Sequence, residues 1–89
     1  MSLDLPAATA RIARELTESE TAIADALAKT TALLHSAALA GRDLGGAPEL
    51  EGQRALLRLE KIVRGLIDVR GETSRVHGQL REIAVETGA

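Results

Sequence analysis

Apolar and small residues recur every three and four positions along most of the chain. Starting at Leu5, the series Thr9, Ile12, Leu16, Ser19, Ile23, Ala26, Thr30, Leu33, Ala37 and Ala40 keeps an unbroken 4,3 spacing. That spacing places one stripe on one side of a helix, the pattern of a helix packed along its whole length. A second series repeats it: Gly52, Ala55, Leu59, Ile62, Leu66, Val69, Thr73, Val76, Leu80 and Ile83. Between the two, Gly41-Arg42-Asp43-Leu44-Gly45-Gly46-Ala47-Pro48 combines glycines that end a helix with a proline that opens one. The pattern therefore predicts a single domain, residues 1–89, with a helix over about 4–42, a turn at about 43–48 and a helix over about 49–86. Ser2 or Asp4, ahead of Pro6, suits the first helix start, and Glu49 and Glu51 fall where acids favour the dipole of the second. No segment alternates with period two and the β-branched residues do not cluster, so no strand is predicted.

The two series also predict how the helices meet. If the chain folds back about Gly46, facing residues have numbers summing to about 92, the condition for an antiparallel pair with matched layers. Leu33 then faces Leu59, Ala26 faces Leu66, Ile23 faces Val69, Leu16 faces Val76 and Ile12 faces Leu80. Each helix would run to roughly 37 residues, or about 55 Å at the rise of an α-helix. The expected fold is all-α, a long antiparallel helical hairpin.

A further apolar set lies beside this seam and changes the expected assembly. Leu27, Leu34 and Ala38 on the first helix, with Leu56, Val63 and Ile67 on the second, form a patch in the half nearest the turn. An uncovered patch of that kind marks an interface, and these six residues are the expected dimer interface. Two hairpins related by a two-fold axis would make a four-helix bundle. A different protein is the alternative occupant.

Composition sharpens this reading. The 89 residues include no Cys, Phe, Trp or Tyr, and 14 Leu, 16 Ala, 5 Ile and 4 Val must supply the core. Such a chain packs in thin aliphatic layers and is small enough to need a partner for stability. Thirteen acidic and eleven basic residues give a net charge of −2, with the signs interspersed. A nucleic-acid binder would carry a basic patch with stacking aromatics, so no nucleic-acid partner is expected. No apolar run is long enough to cross a membrane and Met1-Ser2-Leu3-Asp4 does not resemble a signal peptide, so the expectation is a soluble cytoplasmic protein without membrane contact.

Candidate chemistry is sparse. His35, in Ala32-Leu33-Leu34-His35-Ser36, takes the most solvent-facing position of the first helix, while His77 lies at the edge of the second helix's apolar face, level with about residue 15 and near Ala13. Neither histidine has an acid three or four positions away, so no metal site is expected. Thr73 and Ser19, and likewise Thr30, interrupt the aliphatic layers, and a hydroxyl bonded to the carbonyl four residues back is the expected state. Glu20 and Arg70 are expected flanking ion partners. Gly71 and Gly78 belong to a bare strip, Leu57, Arg64, Gly71, Gly78 and Val85, which is a candidate partner strip where another helix could approach closely.

Two functional classes follow. The favoured one is a non-enzymatic interaction, scaffold or adaptor module with no cofactor: an adaptor, a regulatory subunit, or a secretion- or assembly-type chaperone acting on an unknown protein partner. The other is phosphotransfer. His77-Gly78-Gln79-Leu80-Arg81 loosely resembles the histidine box of kinase dimerisation and histidine phosphotransfer domains, in which a leucine and a basic residue closely follow the histidine. The spacing differs by one residue and the usual proline is missing. That resemblance implies His77 as the candidate phosphoacceptor, with His35 behind it. With no Cys, Tyr or Trp and no paired carboxylates, no catalytic constellation can be assembled otherwise.

Overall fold

The computed structural model of the protein describes residues 5–44 and 49–87, and side chains from 6 to 42 and from 52 to 86. The expected caps at Ser2 and Asp4 and the Gly45-Gly46 turn with Pro48 lie outside the described residues, as do the side chains of Glu49 and Glu51. Two helices make up the rest. Helix α1 runs Leu5–Leu44 and α2 runs Glu49–Thr87. The first therefore continues through Asp43 and Leu44, which the glycine pattern had assigned to the turn.

Local interactions favour helix throughout. Leu, Ala, Glu and Arg dominate both segments, and each retains most of its rotamer freedom in a helix. The hydroxyls of Thr17, Thr31 and Thr73 are satisfied within their own helix: Thr17 Oγ1 donates to the Ala13 carbonyl at 3.0 Å, Thr31 to Leu27 at 2.7 Å and Thr73 to Val69 at 2.8 Å. The polar layer at Thr73 is thus bonded to its own backbone. Lys29 pairs with Asp25 at 3.0 Å, Arg64 with Glu60 at 3.8 Å, and Arg75 with Glu72. All six side chains are exposed, so each pair adds only a few tenths of a kcal/mol, about 0.3–0.5.

The helices lie side by side as an antiparallel hairpin. A rod of 68 × 17 × 15 Å holds both. Its radius of gyration is 19.9 Å, against about 12 Å for a compact domain of this length. Half-buried positions recur along α1 at Ala8, Thr9, Leu16, Glu20, Ile23, Ala24, Ala26, Leu27, Thr30, Leu34, Ala37 and Leu39, and along α2 at Leu56, Leu59, Val63, Gly65, Leu66, Thr73, His77, Leu80 and Ala84. The period is the expected one, but each stripe is centred further round its helix. Thr9, Leu16, Ile23, Ala26, Thr30 and Ala37, with Leu59, Leu66, Thr73 and Leu80, keep their places in the seam. Leu27 and Leu34 are turned into it in place of Leu33, and Leu56 and Val63 in place of Ala55 and Ile62.

This redraws the expected division of apolar residues. Leu27, Leu34, Leu56 and Val63, read from sequence as the dimer patch, pack within the hairpin, while Ala38 and Ile67 are exposed. A three-row apolar stripe explains the ambiguity, since a single partner helix can cover only about two rows and either outer row can serve. The register is also refined. His77 lines a groove with Ala13 and Leu16, as its level predicts, but its polar contact is Glu20, five positions further along α1. Side chains lean toward the start of their own helix, so in an antiparallel pair touching residues are displaced from those whose backbones are level.

Candidate functional site

No side chain among the described residues is fully buried. The outcome follows from geometry, because two rods touch along one line and leave every layer open on both sides. What matters is which residues border that line.

On one side the border is wholly uncharged. The row three positions beyond Thr9, Leu16, Ile23, Thr30 and Ala37 is Ile12, Ser19, Ala26, Leu33 and Ala40; the corresponding row of α2 is Ala55, Ile62, Val69, Val76 and Ile83. Residue order turns in opposite senses in two antiparallel helices seen from one end, so equivalent rows fall on the same side of the hairpin. Ile12, Leu33, Ile62, Val69, Val76 and Ile83 are all between 42% and 55% exposed. The opposite side carries Ala10, Thr17, Ala24, Thr31 and Ala38 with Gln53, Glu60, Ile67, Ser74 and Arg81. Ile67 is its one large apolar residue, beside both charge signs.

The contents of the α2 rows make the arrangement informative. The seam takes in Arg70's row, which also contains His77, while the unbroken aliphatic row of Ile62, Val69, Val76 and Ile83 stays outside. A hairpin stable by itself would gain more by burying the second of these.

Grooves open between the helices. A cavity of about 510 Å³ lies toward the end where residue 8 approaches residue 84, walled chiefly by Ile12, Leu16, Leu80 and Ile83, with His77 and Arg81 as its titratable lining residues. Ala13 lines it too, so the expected proximity of His77 and Ala13 is present. A smaller one of about 190 Å³ is lined by Glu20, Ile23, Ala24, Arg70, Thr73 and Ser74. Glu20 and Arg70 thus share a groove, yet the polar partner of Glu20 is His77, whose Nδ1 lies 3.4 Å from Oε2. Both side chains retain about a third or more of their exposure, and a contact of this length is weak.

The remaining sequence candidates are dispersed. His35 is exposed on α1. Leu57, Arg64, Gly71, Gly78 and Val85 lie on the back of α2, with Leu57 49% and Val85 76% exposed. A Cβ added at Gly71 or Gly78 would meet nothing within 4 Å. Within one hairpin no close approach requires either glycine. Among the described residues no cluster of three or more His, Asp or Glu could hold a metal ion, and no helix is long and apolar enough to cross a membrane. What sequence reasoning missed is the identity of the outward row. Comparing the two α2 rows, one interrupted by Arg70 and His77 and the other aliphatic throughout, favours the aliphatic row for the inside of a lone hairpin, so the pattern held no signal for it.

No protein-family model matches the chain, and comparisons with curated proteins and with solved structures find no match.

Proposed function

We propose that the protein is a non-enzymatic interaction module, a scaffold or adaptor, whose working form is a homodimeric four-helix bundle. The observation that carries this is the lack of any fully buried side chain among the described residues. The accessible surface is 6876 Å², whereas a compact monomer of this mass exposes about 5,000 Å². The excess, about 1,900 Å² per chain, lies within the range that each subunit of an obligate homodimer buries, about 1,000–2,500 Å². Two hairpins side by side make a four-helix bundle, an arrangement in which helices with apolar stripes this wide cover one another.

Sedimentation equilibrium with thermal unfolding at several concentrations tests the reading. A dimer at micromolar protein, with a midpoint that rises with concentration, is expected. A folded monomer whose midpoint is independent of concentration would remove it.

The competing reading is a phosphotransfer module using His77, and one contact favours it. Glu20 approaches Nδ1 of His77 from the other helix, and a partner on one ring nitrogen is what orients the other for chemistry. Incubation with acetyl phosphate or a phosphorylated response regulator separates the two. Acid-labile phosphate on the native chain, lost in His77→Ala, would establish phosphotransfer in place of the scaffold.

A further inference from the structure

The self-association proposed above leaves open which side of the hairpin the second copy covers, and the geometry points to the flank of Ile12, Leu33, Ile62, Val69, Val76 and Ile83. We infer that a second copy of this chain docks there, and not on the patch centred on Leu27, Leu34, Leu56 and Val63, which the hairpin already uses. Four observations select this flank and this occupant.

Charge comes first. None of the ten residues in the two bordering rows is charged, in a chain where 27% of residues are. The other flank holds Glu60 and Arg81, and covering it would strip water from both.

Extent is the second. The row on α2 repeats at Ile62, Val69, Val76 and Ile83 over three heptads, about 32 Å of helix, and Ile12 and Leu33 flank its two ends on α1. An elongated helical partner is what covers a face of that length. A short peptide or a loop would leave most of the row wet.

Shape is the third. Ile12 and Ile83 line one cavity together. Stepping seven residues along each helix in opposite directions from that pair sets Ser19 beside Val76, Ala26 beside Val69, and Leu33 beside Ile62. Val69 and Val76 therefore form a ridge on α2 alongside a furrow of Ser19 and Ala26 on α1. A two-fold axis that lays the ridge of one copy in the furrow of the other makes the face complementary to itself. The same docking brings aliphatic side chains over the cavity between Ile12 and Ile83.

Area is the fourth. The surface in excess of a compact chain is comparable with what a subunit of an obligate homodimer covers.

The absence of native cysteine provides the test. Val69 and Ile67 are 46% and 54% exposed in the hairpin, on opposite flanks, so single-cysteine variants Val69→Cys and Ile67→Cys should react with a maleimide at similar rates in a lone hairpin. In the full chain, sedimentation equilibrium should show a dimer, with the thiol at 69 labelled roughly tenfold or more slowly than the thiol at 67. Dilution below the dissociation constant should abolish the difference. Val76→Cys supplies a second flank position should Val69→Cys weaken assembly. A dimer in which the two flanks label alike, or in which position 67 is the protected one, overturns this face and leaves self-association standing. A monomer at all concentrations overturns both.

Discussion

Glu20 and His77, 57 positions apart in the chain, meet across the hairpin with the carboxylate oxygen 3.4 Å from the imidazole nitrogen. It is a polar contact in a stripe otherwise made of Leu, Ile, Val, Thr and Ala. Both groups remain partly hydrated, and a pair of this kind contributes no more than about 1 kcal/mol. Replacing both partners with leucine would extend the seam by one aliphatic layer and leave no unpaired charge. The double variant Glu20→Leu/His77→Leu is expected to unfold at higher temperature than the native chain, followed by circular dichroism at 222 nm at matched concentration. A lower midpoint would mean that the pair fixes the register.

The two leucines at 57 and 66 provide an internal comparison. Leu66 is half-buried in the seam, whereas Leu57 is 49% exposed on the back of α2. Leu66→Ala is expected to cost about 2 kcal/mol or more, because it opens a gap between helices that cannot close around it. Leu57→Ala should stay within about 0.5 kcal/mol of the native chain. Urea unfolding of both variants measures the contrast, and equal costs would place Leu57 in a contact that a lone hairpin does not make.

Gly71 and Gly78 sit in the interior of a long helix with open space around each. Alanine at either position adds a methyl group into that space and narrows the unfolded ensemble. Each substitution should stabilise the chain by about 1 kcal/mol. A destabilising effect, measured by the same urea titrations, would show that something in the assembled protein approaches the bare backbone closely.

The sequence made two of the architectural features readable and left a third ambiguous. Helix type and extent were legible because the 4,3 spacing from Leu5 to Ala40 and from Gly52 to Ile83 is unbroken, and because Gly41 to Pro48 concentrates the breakers in one place. The antiparallel pairing followed from the short connection. The facing rows did not follow, because Leu27 and Leu34 compete on nearly equal terms with Ile12 and Leu33 for the same seam. On α2 the row with His77 takes the inside position against the more apolar row of Val69 and Val76. Periodicity measures how wide an apolar stripe is, while its orientation depends on everything packed against it. The contact between Glu20 and His77 was unreadable for a related reason: a register estimated from level backbones omits the lean of side chains along each helix.

A hairpin of two long helices has contacts graded by loop length. Positions beside the connection, such as Ala40 and Ala55, are separated by a short segment of chain, whereas bringing Ile12 to Ile83 closes a loop of most of the molecule. Closure entropy grows with that length, so the structure zips from the connection outward. The end with the cavity of about 510 Å³ is then the last to form and the first to fray. If a second copy covers the flank, it acts there as a clasp, holding the two helices together where the chain itself has least to close them with.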